Sequence, residues 1–279
     1  MSGTGQNGTG QNGTGQNGLA CKRTEEKRAD GHENGHAAAF EQILGVRVGN
    51  FTYETLLAEA DRAIADGRQV MIVAINPEKV VKAQADEALR QLLNEAELPI
   101  ADGIGVVLAS RWRGGRVRQR VTGVETMLHL CQHAAAKGYP VFLLGAKPGV
   151  GEQAARILQS RYPGLQVAGT QHGYFDDDRA VVEQINRSGA RILFVAMGSP
   201  RQEYWIRKHR DNLAPRVLQG VGGSLDVICG NVPRAPEWMQ RMGLEWLYRL
   251  IKEPSRWRRQ LALPKFLWLV LTRKDLRKE

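Results

Sequence analysis

The sequence predicts an α/β fold: a doubly wound, mainly parallel, Rossmann-like sheet followed by a C-terminal helical appendage. Three observations carry this. Short apolar runs alternate with amphipathic stretches of helical length along most of the chain, the pattern of a sheet wound with helices. Runs such as VFLLG and ILFVAMG are continuously apolar, as strands buried on both faces are. From Arg234 the texture changes to a stretch rich in Trp, Leu and Arg, interrupted by three prolines.

Residues 1–38 repeat GTGQN three times and then stay polar and charged. This is a low-complexity tail, expected to be disordered, and it lacks the apolar run of a signal peptide. Order begins near Phe40. A helix is predicted over 53–66, closed by Gly67, then a strand over 69–75, one helix over 77–96, a strand over 98–101 and a helix opening at Asp102-Gly103. There follow a helix over 122–137 stopped by Gly138, strand 140–144, helix 150–162, strand 165–168, helix 178–188, strand 191–196, helix 200–210 and strand 216–220. The α/β core thus spans 39–232 and the appendage 233–279. In a doubly wound sheet, ligands bind outside the carboxyl ends of the strands, so the strand-to-helix junctions are where function is sought.

With 279 residues, 42% of them hydrophobic, the chain can bury one large core. The net charge of +10 points to an anionic partner: nucleic acid, anionic lipid or a phosphorylated substrate. The charge is concentrated at one end, since residues 241–279 hold eleven Lys/Arg against four Asp/Glu. No segment reaches the roughly 18 consecutive apolar residues of a spanning helix. Cys21, Cys131 and Cys229 show neither zinc-ligand nor disulfide spacing, which fits a reducing cytoplasm.

Seven junctions can carry chemistry. Asn76-Pro77 is a favoured cap and first helical residue, and Asn76 can also turn its amide into the crevice. Asp102, after a short strand and before Gly103 and Gly105, either caps the next helix or serves as a general base. Four Arg between 113 and 120 read as a solvated loop, or, for Arg120 beside the helix start at Thr122, as part of an anion site. The turn from Gly145 to Gly151 is neither a P-loop nor a GxGxxG motif, but its glycines let backbone N–H groups approach a phosphate or ribose. Gln202 and Glu203 either decorate a first helical turn or, for Gln202, hydrogen-bond a sugar. Gly220, Gly222 and Gly223 permit close ligand approach, with Asp226 as a structural cap or an acceptor for base or ribose. Arg249, Arg256 and Arg259 share a helical face if the helix continues through Pro254. They form either a solvated basic face or an anion clamp near the bilayer, where the interleaved Trp246, Trp257, Phe266 and Trp268 suit an interface.

Taken in order, INPEKVV, ADGIGVV, RVTG, VFLLGAKPGV, GTQHGYF, MGSPRQE, GVGGSLD and RAPEWMQRMGLEWLYRLIKEPSRWRRQ resemble the WecG/TagA/CpsF family, glycosyltransferase family 26, from about Val46 to Leu267. The resemblance implies transfer of N-acetylmannosamine, its uronic acid or a hexose from a UDP-sugar to an undecaprenyl-diphosphate-linked sugar, with inversion. It implies no cofactor and no divalent metal. The products it implies are wall teichoic acid linkage units, enterobacterial common antigen or exopolysaccharides. By motif, Asp102 resembles the catalytic base and Asn76 a substrate-positioning amide. Arg120 and Gln202 fall on polar pocket positions, Tyr174 and Asp226 near the uridine, and Arg249, Arg256 and Arg259 on the diphosphate. Ala74 stands where many members carry Thr, which leaves the donor sugar open.

The reading therefore places the protein in the cytoplasm, peripherally on the inner face of the cell membrane, held to anionic lipid by its basic end. Apolar surface there can drive self-association away from lipid. A nicotinamide oxidoreductase would need GxGxxG with an acidic residue about 20 positions on, which is missing. A nucleic-acid-binding protein would use the basic C-terminus, but FLWLVL among tryptophans suits a membrane better.

Overall fold

The computed structural model describes residues 40–254 and 257–273; the tail expected at 1–38 lies outside the described residues. The chain enters the sheet through a hairpin, β1 (Phe40–Ile43) and β2 (Val46–Gly49), two strands that were not predicted. Leu44 and Gly45 at its tip have φ of 52° and 78°, the turn geometry whose twist matches the flanking strands. Helix α1 (Tyr53–Ala65) starts at Thr52, which exchanges hydrogen bonds with Thr55, and β3 (Val70–Ile75) follows, buried throughout.

The single helix expected over 77–96 is two helices, α2 (Pro77–Ala83) and α3 (Glu87–Glu95). Asp86 makes the break. Its carboxylate accepts from the Leu89 N–H to cap α3 and from the Tyr204 hydroxyl at 2.8 Å, so a contact remote in sequence overrides continuous helical periodicity. Next come β4 (Leu98–Ala101), α4 (Ile104–Trp112), α5 (Gly123–Lys137), β5 (Val141–Gly145) and α6 (Val150–Arg161). Strand β6 (Val167–Gln171) begins later than expected, because Leu165 is a buried turn residue bonded back to Tyr162. The core closes with α7 (Asp178–Arg187), β7 (Ile192–Ala196), α8 (Arg201–His209), β8 (Val217–Gly220) and α9 (Ser224–Ile228).

The eight strands form one sheet in the order β1-β2-β4-β3-β8-β7-β5-β6, parallel except for the β1–β2 hairpin. Alternation along β3 sends Met71, Val73 and Ile75 into one apolar layer and Val70, Ile72 and Ala74 into the other. Both faces are covered, as a doubly wound sheet requires. The order reverses twice, giving one crevice where β3 meets β8 and another where β5 meets β7.

After the core run α10 (Glu237–Arg241), α11 (Glu245–Lys252), α12 (Trp257–Gln260) and α13 (Ala262–Thr272). The helix does not continue through Pro254. The core and these helices belong to one compact unit. Helix α13 lies against α2 and α4 and buries Phe266, Leu269 and Val270. Full burial of each such side chain contributes about 1.5–3 kcal/mol, which anchors the C-terminal segment to the core. Among the described residues, no helix is long and apolar enough to cross a membrane.

Candidate active site

The first crevice opens into a cavity of about 940 Å³ lined by the ends of β3, β4 and β8, the start of α5, and helices α4, α11 and α13. Local packing explains why the motifs meet here. Asn76 caps α2 by accepting from the Lys79 N–H at 2.9 Å, and it also lines the cavity. Gly103 and Gly105 lie against the Pro77 ring: a Cβ on either would come within 3.0 Å of it. The Asn-Pro and Asp-Gly-Ile-Gly turns therefore fit together only without side chains at these two positions. Gly123 sets the start of α5 close to β3, since its Cβ would stand 3.3 Å from Ala74, with the Asp102 carboxylate in ordinary contact at 3.7 Å. Gln219 holds that helix start by donating to the Gly123 carbonyl at 2.8 Å.

Asp102 does not cap α4; Gly103 occupies that position, with no side-chain cap bond. The Asp102 N–H donates to the Ile75 carbonyl at 2.8 Å, which fixes the residue at the strand edge. Its carboxylate lines the cavity and accepts no hydrogen bond from the described residues. Burial pushes its pKa up to about 6, against the lowering pull of Arg120 and Lys79, with Glu245 raising it further and Arg249 lowering it. A cleft carboxylate with a pKa this close to neutrality can take a proton from an attacking hydroxyl.

Beneath the cavity lies a buried network that sequence reasoning missed. Glu203 and Lys79, only 1% and 5% exposed, form an ion pair at 2.8 Å. Lys79 also donates to the Ala74 carbonyl at 2.8 Å. Burial raises the Glu203 pKa, but the Lys79 charge and hydrogen bonds from Lys79 and Gln202 outweigh it and hold the carboxyl below its usual range. The Gln202 amide donates to Glu203 and accepts from the Gly222 N–H at 2.8 Å. Gln202 and Glu203 are therefore not decorations of a first turn: they brace the Gly222 loop from inside. In the sequence the pair is split between two helix starts more than 120 positions apart, so no local pattern could join them.

Cations arrive from the C-terminal helices. Arg249 and Arg259 line the cavity, with the Arg249 charge acting on the Asp102 carboxylate and no hydrogen bond or salt bridge to either guanidinium among the described residues, although Pro254 ends the helix between them. Arg256 lies outside the described residues. Arg120 is ion-paired with Glu245 and donates to the Gln240 carbonyl at 2.9 Å, and Arg234 is paired with Glu125. These contacts fasten α10 and α11 over the cavity. Of the arginines expected in a solvated loop, Arg113 donates to the Val270 and Arg273 carbonyls. Glu245 was not singled out from sequence, because a glutamate in a first helical turn is ordinary.

Three of the remaining candidates, Gly145, Tyr174 and Asp226, do not line this cavity. Gly145 and Tyr174 sit at the second crevice. Gly145 has φ +116°, and a Cβ there would stand 2.5 Å from the Ala196 backbone; Tyr174 is 65% exposed. Arg201, at the start of α8, donates to the Gly173 carbonyl and so ties that loop to the helix carrying Gln202. Asp226 lies on α9 and accepts from Asn231 at 3.3 Å. Gly222 does line the cavity, with φ +55°. Among the described residues, no group of three or more His, Cys, Asp or Glu is arranged to hold a metal.

A stretch of 201 residues, 72% of this chain and 78% of the relative, is 40% identical to the N-acetylglucosaminyldiphosphoundecaprenol N-acetyl-beta-D-mannosaminyltransferase of Bacillus subtilis (strain 168). The family model for glycosyl transferases of the WecG/TagA/CpsF type matches residues 41–279. The protein is a glycosyltransferase and belongs to the WecG/TagA/CpsF family.

Proposed function

We propose that the protein transfers an N-acetylhexosamine-type sugar from a UDP-sugar to a sugar linked through diphosphate to a polyprenol, in a single inverting displacement. The observation that carries this reading is the Asp102 carboxylate, free of hydrogen bonds from the described residues and with its pKa raised, in one cavity with Arg249 and Arg259. Asp102 takes the proton of the acceptor hydroxyl as its oxygen attacks the anomeric carbon. The bond from that carbon to the β-phosphate oxygen breaks, and UDP departs with the bonding electrons. Fixed cations suit the charge that develops on the leaving diphosphate. In this reading Arg249 and Arg259 supply it together with the α5 N-terminus, and no divalent metal or other cofactor is required.

The donor extends from Asn76 and the Gly222 loop, with its uridine directed toward Asp226 and Tyr174. The Arg201 link between the Tyr174 loop and α8 supports that path. The acceptor class follows the name of the Bacillus relative. The membrane side is the outward surface of the C-terminal helices, where Trp257, Leu261 and Trp268 are exposed beside Arg258 and Lys265. That mixture suits peripheral binding to an anionic inner leaflet. Ala74 lines the cavity without a hydroxyl, so the donor is identified by assay. Labelled transfer to a prenyl-diphosphate-linked N-acetylglucosamine is measured across a panel of UDP-sugars that includes N-acetylmannosamine, with and without chelator. Transfer from one donor, undiminished by chelator, is expected; no transfer and no UDP binding by the full chain overturns the reading.

A further inference from the structure

Two helices border the cavity with matching apolar stripes. Ile104, Leu108 and Trp112 on α4, and Leu263, Leu267 and Leu271 on α13, all line it. Each set is spaced i, i+4, i+8, which places it along one side of its helix. The helices run side by side in the same direction: the Phe266 ring lies 3.8 Å from where a Gly105 Cβ would stand, while Arg113 donates to the carbonyls of Val270 and Arg273. The two stripes therefore face one groove, which leads away from Asp102 for about 12 Å at 1.5 Å per residue. Leu108, Trp112, Leu267 and Leu271 remain 47–59% exposed.

The charges sit at one end of this groove. Arg259 lies on α12, one turn before α13, and Gly243, just before α11, is packed against Ile104, where its Cβ would stand 2.6 Å from the Ile104 Cβ. From the catalytic end outward the cavity thus presents a carboxylate, then guanidinium groups, then an open apolar channel. A polyprenyl-diphosphate-linked sugar has the complementary order, hydroxyl first and hydrocarbon last, and its diphosphate passes beside the same two guanidinium groups that face the departing UDP. We propose that the α4–α13 groove is the subsite for the first isoprene units of the acceptor. This rests on the acceptor class given above and adds where its lipid lies. The exposed leucines of the groove recognise the chain itself, apart from any contact with a bilayer.

The test is run without membranes, on water-soluble acceptors that differ only in tail: N-acetylglucosamine diphosphate carrying methyl or geranyl. For the wild type, the geranyl tail is expected to lower the acceptor KM by about 10-fold, from burial of apolar carbon. In Leu108→Gln/Leu267→Gln the KM ratio between the two acceptors falls toward one, while Leu108→Met/Leu267→Met keeps it, which separates lost recognition from lost folding. Trp268→Gln, on the outward side of α13, keeps the ratio and weakens binding to anionic vesicles. A wild-type ratio near one, or a ratio unmoved by the double glutamine variant, overturns the proposal. Calorimetric titration with geranyl diphosphate separates the two readings. Binding lost in the glutamine variant, with no transfer by the wild type, retains the groove and sinks the acceptor chemistry. No binding by the wild type removes the groove alone.

Discussion

The two crevices of the sheet look alike in sequence and differ in chemistry. Each lies where strand order reverses, and each is bordered by glycine turns. At the second, glycine brings backbone against backbone: Gly145 abuts Ala196, and the Gly173 N–H donates to the Ala146 carbonyl at 2.9 Å. At the first, glycines 103 and 105 make room for the Pro77 ring. Of the two crevices, among the described residues, the first is where α2 and the C-terminal helices bring ionisable groups to one cavity. A glycine turn marks a strand end. Convergence of charge from distant segments marks a reactive site.

The largest test of that contrast is Asp102→Asn. Transfer is expected to fall about 10²–10⁴-fold with UDP binding retained, as measured by initial rates and titration. For the wild type, kcat/KM should decline as pH drops through about 6, where Asp102 protonates, and the variant should lack that limb. Stability moves the other way. A carboxyl whose folded pKa is raised favours the folded state below its unfolded value near 4, and loses that advantage as pH climbs to the folded value. Above pH 7 the asparagine variant should therefore be more stable by about 3 kcal/mol, and the gain should vanish below pH 4 in denaturant melts. Equal stability at both pH values would count against the raised pKa, and full activity would move the base elsewhere.

A second test concerns the floor of the first crevice. Lys79→Met leaves Glu203 buried without its counter-ion, which costs about 3–5 kcal/mol. Lys79→Met/Glu203→Leu should recover most of that, since an apolar pair needs no compensation in the interior. If the pair serves the site as well as the fold, the recovered double variant still differs from the wild type. The favourable Lys79 charge near Asp102 is gone, so the acidic limb of kcat/KM should move to higher pH. An unmoved limb in a stable double variant would confine the pair to a structural role.

These outcomes track what the sequence makes legible. The core strands and helices were readable because buried parallel strands are apolar throughout and their helices are capped by Asn76, Thr122 and Asp177, as cap preferences dictate. The β1–β2 hairpin was not, since FEQI and VRVG interleave polar with apolar residues and turn at Leu44-Gly45 without an Asn-Gly or Asp-Gly signal. The break at Asp86 depends on Tyr204, and the Lys79–Glu203 pair joins two helix starts; both are tertiary facts with no local trace. Asp102, Asn76, Arg249 and Arg259 were legible as motif positions, and the structure places all four on one cavity. Their meeting depends on how α10–α13 lie across the sheet, which residue spacing does not encode.

The smallest effect is expected at the second crevice. Tyr174 is largely exposed and carries no ionic partner among the described residues, so it can contribute contact area and stacking but no charge to the reacting atoms. If the uridine reaches this loop, Tyr174→Ala removes an aromatic face worth about 1 kcal/mol. That loss acts equally on bound donor and transition state, so it raises the UDP-sugar KM about fivefold and leaves kcat unchanged. A fall in kcat of the size expected for Asp102→Asn would show that the two crevices share the chemistry. An unchanged KM would leave the second crevice as packing alone, with the nucleotide held entirely between the Gly222 loop and the C-terminal arginines.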